Sequence, residues 1–206
     1  MQKYGDVVTH IQYDLKDVDF LYPIEFDINI FLNLTSTEPF SLEAIEYLNE
    51  LSKILLKEPS VKNYPDVVTF AFFCRKANIR KLKSKFDLNS VTTLGRGLIF
   101  HIAPSNVPVN FAYSLVSGIL SGNTNIVRVP SLNYEQVDII CDAINKLNDG
   151  NIFRPFSKTF ALVRYDRSSS ATAYFSAICD VRIIWGGDTT IEQIRANKLP
   201  ARAFDV

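Results

Sequence analysis

Residues 94–131 read LGRGLIFHIAPSNVPVNFAYSLVSGILSGNTNIVRVPS, and this stretch decides the fold. It opens on a glycine turn, Gly95 and Gly97. A β-rich apolar run follows, Leu98-Ile99-Phe100-His101-Ile102-Ala103, and then a polar turn bracketed by prolines, Pro104-Ser105-Asn106-Val107-Pro108. Phe111, Leu115, Val116, Ile119 and Leu120 recur at helical spacing. A turn at Gly122-Asn123 leads to a second strand, Ile126-Val127-Arg128-Val129. Strand, helix and strand in that order make a βαβ unit with a right-handed crossover. Ligands of such sheets bind beyond the carboxyl ends of the strands. Pro104 to Asn106 and Arg128 to Ser131 therefore fall on one rim.

Downstream the alternation continues. Residues 133–147 carry a helical stripe (Val137, Ile140, Cys141, Ile144, Leu147). Residues 159–165 read as a strand, and Ser168-Ser169-Ser170 as the cap of a helix running to about Ile178. Val181-Arg182-Ile183-Ile184-Trp185 is a further strand, Gly186-Gly187-Asp188 its turn, and a helix begins at Thr189. Strand–helix alternation from 98 to 197 predicts an α/β domain with a doubly wound, mostly parallel sheet.

Upstream, residues 41–57 predict a helix with an apolar stripe and charges placed to suit its dipole, stopped by Pro59. A second helix starts at Pro65-Asp66, with Val67, Phe70, Ala71, Cys74, Asn78 and Leu82 on its buried side. Arg75, Lys76, Arg80, Lys81, Lys83 and Lys85 crowd its later turns. They read either as a solvated helix end or as an anchor for phosphates. Residues 7–13 and 24–34 alternate with a period of two, which predicts strands. Residues 1–36 thus read as a β-rich N-terminal extension, with oligomerisation one use for it, and residues 37–206 as the α/β domain, which the resemblance given below implies is nucleotide-binding.

Composition narrows the function classes. Twenty-two acidic and 22 basic residues balance, so nothing global favours nucleic acid or an anionic membrane. No apolar run approaches the roughly 20 residues of a membrane span. The first residues lack the apolar core of a signal peptide. Three scattered cysteines form no disulfide framework, and a cytoplasmic location is the expectation. Cys74, Cys141 and Cys179 sit at apolar helical positions, as buried small hydrophobes do. His10 and His101 are isolated, His101 within a strand, and no spacing suits a metal.

Three positions carry candidate chemistry. Asn106 is either a local turn residue or an amide donor held at a strand end, where it would meet negative charge growing on a carbonyl oxygen. Arg128 is either a surface cation or a partner for a nucleotide ribose or phosphate. Trp185-Gly186-Gly187-Asp188 is either a tight turn or a helix start whose bare backbone N–H groups approach a pyrophosphate. Gly95 and Gly97 precede a strand rather than a helix and make no dinucleotide fingerprint.

These residues also carry a resemblance. Asn-Val-Pro after a strand, a small-residue helix, and Ser-Gly-Asn-Thr-Asn-Ile-Val-Arg-Val-Pro-Ser resemble the aldehyde dehydrogenase superfamily. The likeness is greatest to its acyl-CoA reductase branch, the LuxC-like fatty-acid reductases. It extends over roughly residues 60–206, taking in residues 65–67, 75–78 and 185–188. It implies that Asn106 is the oxyanion donor of a Pro-x-Asn-x-Pro motif. It implies cofactor contacts from Ile102, Ala103, Pro104 and Ser105, from Arg128, Pro130 and Ser131, and from Trp185, Gly186, Gly187 and Asp188. The superfamily usually has lysine where Arg128 stands; the planar fork of arginine suits a 2′-phosphate, so the cofactor is expected to be NADP(H), with NAD(H) the alternative. Asp188 would repel phosphates and is expected to cap the helix instead. The implied reaction reduces a long-chain acyl-CoA thioester to an aldehyde through an acyl-cysteine intermediate. None of the three cysteines matches the nucleophile's motif, so that residue is expected beyond Val206, and the chain by itself is expected to be inactive. An acyl-CoA substrate and a homo-oligomer are the implied partners, with neither nucleic acid nor a membrane span. The alternatives are a non-catalytic assembly module that keeps the fold, or an aldehyde dehydrogenase with another substrate.

Overall fold

Strand β1 (Asp19–Tyr22) and helices α1 (Ile28–Asn33) and α2 (Leu42–Lys57) come first, followed by a 3-10 turn at Pro59–Asn63 and helices α3 (Pro65–Phe73) and α4 (Lys76–Lys83). The αβ alternation then runs β2 (Leu98–Ile102), α5 (Asn110–Leu120), β3 (Thr124–Arg128), α6 (Glu135–Asp149), a short α7 (Arg154–Ser157) and β4 (Phe160–Arg164). It closes with α8 (Ala171–Ile178), β5 (Val181–Ile184), α9 (Asp188–Arg195) and β6 (Phe204–Asp205). This is a computed structural model, and it describes residues 15–86, 93–149 and 152–206.

One six-stranded sheet has the order β1-β4-β3-β2-β5-β6. β1 runs antiparallel to β4, and every other pairing is parallel. From β2 the chain moves outward through β3 to β4, then returns to lay β5 on the other side of β2. The direction of winding therefore reverses between β2 and β5, and a doubly wound sheet opens a crevice at such a point. All five residues of β2 are buried, as a central parallel strand covered on both faces must be.

The period-two alternation of the strands sorts two cores. Phe100, Ile102, Ile126, Ala161 and Val163 face a cluster with Phe175 and Ile178 of α8 and Ile194 of α9. Val127, Phe160 and Leu162 face the opposite cluster, built on α2, α3, α5 and α6. Buried aliphatic side chains of this size each contribute roughly 1.5–3 kcal/mol, so the two clusters dominate stability.

At the amino-terminal end of the strands the backbone is drawn tight. Asn123 Oδ1 accepts from the N–H groups of Arg96 (2.5 Å) and Gly97 (3.1 Å). Gly122 has φ +75°, and a Cβ there would lie 2.2 Å from the carbonyl oxygen of Thr37. Gly97 has φ +137°, and its Cβ would lie 2.2 Å from Asp180 Oδ2. The Gly95–Gly97 pair is thus a structural joint at the end of the sheet remote from the ligand rim. β6 is tied in by Arg182, which is 1% exposed and donates to Asp205 through Nε (2.7 Å) and Nη2 (3.1 Å).

Several sequence expectations need correction. Residues 24–34 do not continue as a strand. The stretch turns at Asp27, whose side chain accepts from the Asn29 N–H at 2.9 Å, and becomes α1. Helical spacing carries Ile28, Phe31 and Leu32 to the core and leaves Ile24 and Ile30 exposed. Of the β-rich N-terminal stretch, β1 is the strand in the described part, and it joins the main sheet; residues 7–13 lie outside the described residues. The helix expected from Pro65 to Leu82 is two helices. Arg75 is extended (φ −60°, ψ 136°), the Lys76 N–H donates to Asn49 Oδ1 of α2 at 3.1 Å, and Asn78 Nδ2 donates to the Phe73 carbonyl at 2.8 Å. The break puts Ile79 fully in the core, leaves Asn78 partly buried, and packs Leu82 against the edge of the same cluster. β6 has no counterpart in the sequence reading.

Candidate functional site

The ladder hydrogen bonds of β2 do not stop at its end. Ala103 donates to the Arg128 carbonyl at 3.4 Å, and Trp185 to the Ile102 carbonyl at 3.0 Å. The segments leaving β2, β3 and β5 are thereby held side by side at the carboxyl rim. Tyr134 Oη donates to the Ser105 carbonyl at 3.1 Å and fixes the proline-bracketed turn. Together these segments enclose a crevice of about 340 Å³ at the winding reversal.

The crevice brings together nearly every residue singled out from sequence. Ile102, Ala103, Pro104, Ser105 and Asn106 form one side, Arg128, Pro130 and Ser131 another, and Trp185, Gly186 and Gly187 a third. Asp188 does not line it. Asp188 is the first residue of α9, the N-cap is Gly187, and no side chain caps that helix; the expected Asp188 cap is not formed. Val129, inside the rim segment Arg128 to Ser131, also lines the crevice, as do Arg167, Thr190 and Ile194, which escaped the sequence reading. Arg167 was findable: it follows β4, and loops after parallel strands converge on the same rim.

Arg128 is partly buried. Nη2 donates to the Tyr165 carbonyl at 3.0 Å, and the guanidinium lies 4.7 Å from the centre of the Tyr165 ring. Its buried Nε has no hydrogen-bond partner among the described residues. Desolvation lowers its pKa and Arg167 acts in the same sense, while Tyr165 and Asp166 oppose them; arginine still carries its charge at neutral pH. A fixed cation beside an exposed one suits a polyanion.

The glycine turn has an open side. A Cβ at Gly187 would meet nothing within 4 Å, and its φ of −77° is open to any residue. At Gly186 a Cβ would press on the Thr190 side chain at 3.2 Å. No internal contact demands glycine at 187, where Ser or Asp would cap α9 better. The bare backbone at the start of α9 faces outward, and helix starts of this kind receive anions. Asn106 is exposed on the opposite lip, and among the described residues its side chain makes no hydrogen bond.

The remaining candidates are structural or already engaged. Cys74, Cys141 and Cys179 are buried; burial raises all three thiol pKa values, to about 12 for Cys141 and Cys179, the opposite of what an activated nucleophile needs. His101 is fully buried, and desolvation lowers its pKa to about 4. Lys53, Arg75, Lys76 and Arg80 line a second concavity, of about 460 Å³. Lys76 pairs there with Glu46, Lys53 with Glu50 at 2.6 Å, and Arg75 stacks on Phe72 at 4.0 Å. Much of that positive charge is met internally.

A mostly parallel sheet, a crevice at the winding reversal and a helix start bordering it define a doubly wound α/β domain, and solved aldehyde dehydrogenases share its fold. An aldehyde dehydrogenase from Bartonella henselae matches with a TM-score of 0.59 and 16% identity, over 82% of this chain and 39% of that one. Proline utilization A from Bradyrhizobium japonicum matches at 0.60 and 20%, over 82% and 20%. An NADP-dependent glyceraldehyde-3-phosphate dehydrogenase from Bacillus halodurans, complexed with NADP, matches at 0.53 and 18%, over 75% and 38%. At these identities the likeness establishes the fold, and the chain spans less than half the length of each of these structures. The chain belongs to the acyl-CoA reductase (LuxC) family, whose model matches residues 8–205. No curated protein sequence matches it. Among the described residues no helix is long and apolar enough to cross a membrane.

Proposed function

We propose that this chain is the dinucleotide-binding part of an acyl-CoA reductase, which reduces the acyl group of a long-chain acyl-CoA thioester to an aldehyde. The observation that carries the reading is the gathering, in one crevice at the winding reversal, of Asn106, Arg128 and the Gly186–Gly187 turn. The residues fit a nicotinamide dinucleotide. The open face of Gly187 leaves room for a diphosphate against the backbone of α9, and Arg128, with Arg167 beside it, offers charge to a ribose phosphate. NADP(H) is the preferred cofactor for that reason, with NAD(H) second.

When bound, the cofactor supplies hydride. Asn106 Nδ2–H, on the opposite lip, meets the negative charge that grows on the carbonyl oxygen as the carbon is reduced; loss of one such donor costs roughly 3 kcal/mol of barrier. In this reading the acyl group reaches the crevice on a cysteine outside this chain, after that thiolate displaces the thiol of coenzyme A. Location in the cytoplasm, self-association and use of residues 1–36 for subunit contact belong to the same proposal. Calorimetric titration with NADPH and NADH is the test. Saturable binding with NADPH the tighter is expected, and no heat from either nucleotide would overturn the reading.

A further inference from the structure

Trp185 is the single tryptophan of the chain. It lies just past β5, is 45% exposed and forms part of the crevice wall. Its indole is not free to turn. Nε1–H donates to Ser114 Oγ on α5 at 3.1 Å. Ser114 is 2% exposed, and its Oγ lies 2.8 Å from His101 Nδ1. His101 Nε2 lies 3.0 Å from Asn125 Oδ1, and Asn125 Nδ2 donates to the Asn123 carbonyl at 2.7 Å.

The chain of bonds has one consistent direction. A carbonyl only accepts, so the Asn125 amide must present its NH₂ to Asn123 and its oxygen to His101. His101 then carries its proton on Nε2, and its bare Nδ1 accepts from the Ser114 hydroxyl. That leaves the lone pairs of Ser114 Oγ to receive the indole N–H. Helix α5 makes room for this line: a Cβ at Gly118 would lie 1.9 Å from Asn125 Oδ1 and 2.9 Å from His101 Nε2. Apolar side chains would fill the same space without any need for matched partners. What the polar line does, and an apolar filling would not, is fix an aromatic ring on the crevice wall.

We infer that Asn125, His101 and Ser114 are positioning residues that lock the indole of Trp185, and that Trp185 is a specificity-determining wall on which a planar ring of the dinucleotide rests. The second half rests on the reading of the crevice as a dinucleotide site. A ring tied by its N–H edge presents a preset surface, so the ligand does not have to order it on binding.

The sole tryptophan reports on itself. In the ligand-free protein, Ser114→Ala should lower the emission anisotropy of Trp185 and raise its quenching by acrylamide; unchanged values of both would overturn the anchoring. Ser114→Ala should also weaken NADPH binding roughly three- to tenfold, the cost of ordering one side chain. A purely structural serine would produce that loss in any background, so the decisive arm is a double-mutant cycle. In Trp185→Phe, which has no indole N–H to anchor, Ser114→Ala should cost less than about twofold. Equal losses in both backgrounds would overturn the role in binding. Should Ser114→Ala not fold, Ser114→Cys, a similar volume whose sulfur is a feeble acceptor for the indole N–H, takes its place in the cycle. If the parent chain binds neither NADPH nor NADH, the dinucleotide reading fails, and with it the proposed ring contact. The fluorescence arm still decides the anchoring by itself.

Discussion

Replacing Gly187 by alanine separates ligand binding from folding more cleanly than any other change at the crevice. The added Cβ would meet nothing within 4 Å, and φ −77°, ψ 164° is ordinary extended backbone. Restricting the unfolded chain gains about 0.4–1 kcal/mol. Alanine is a poorer N-cap than glycine by a similar amount, about 0.5–1 kcal/mol. The two offset, so Tm should move by no more than about 3 °C. Binding should respond differently. The same Cβ occupies the space a diphosphate needs to reach the N–H groups at the start of α9. Losing one charge-assisted hydrogen bond costs about 1.5–3 kcal/mol, roughly a 10- to 100-fold rise in Kd. Thermal unfolding by circular dichroism and titration with NADPH measure the two quantities on one preparation. Gly186→Ala is the contrast, because its Cβ presses on Thr190 at 3.2 Å and should disturb stability as well. A Gly187→Ala protein that melts like the parent and binds NADPH equally well would refute the placement of the diphosphate.

Arg128→Met should weaken NADPH roughly tenfold and NADH much less, since in the proposed site the removed charge would meet the 2′-phosphate that NADH lacks; paired titrations read the ratio. Asn106→Ala, assayed for acyl-CoA reduction in protein that carries the nucleophilic cysteine, should lower kcat about 100-fold or more with nucleotide Kd unchanged. Asp205→Ala removes the carboxylate partner of Arg182, which is 1% exposed and keeps Ser176, Ile194 and Asn197 as acceptors, and should cost about 1.5–3 kcal/mol in urea unfolding. His101 titrates near pH 6.5 when unfolded and near 4 when folded, so between those values the unfolded chain binds more protons and stability falls as pH is lowered. The drop approaches roughly 3 kcal/mol for the full shift, and urea midpoints at pH 7.5 and 5.0 should differ less in His101→Gln than in the parent.

The central βαβ unit was legible because each step carried its own local signal. Strand runs, a helical stripe and turn residues followed one another from 94 to 131, and the rule that ligands meet the carboxyl ends of strands placed Asn106 and Arg128 on one rim. Trp185, Gly186 and Gly187 joined them as a glycine turn between a strand and a helix start, a reading the family resemblance reinforced. Thr190 and Ile194 bear no local mark and come to the crevice only because α9 packs where it does, whereas Arg167 could have been placed there from its position after β4. Residues 24–34 misled because isoleucines and phenylalanines at alternate positions fit a strand, while a cap at Asp27 and contacts at helical spacing fit a helix equally well. The break at Arg75 was invisible for a related reason: Asn49, which accepts from the Lys76 N–H, lies 27 positions before Lys76 in the chain.

By itself the sequence determined the strand–helix alternation from β2 to α9, the parallel sheet and the rim on which the candidate residues meet, because periodicity and turn chemistry are properties of neighbouring residues. Only the tertiary structure decided the sheet order, the two-part helix after Pro65 and the line from Asn125 through His101 and Ser114 to Trp185. Each of these rests on hydrogen bonds between groups far apart in the chain, and such partners are chosen by packing, which leaves no periodic trace in the sequence.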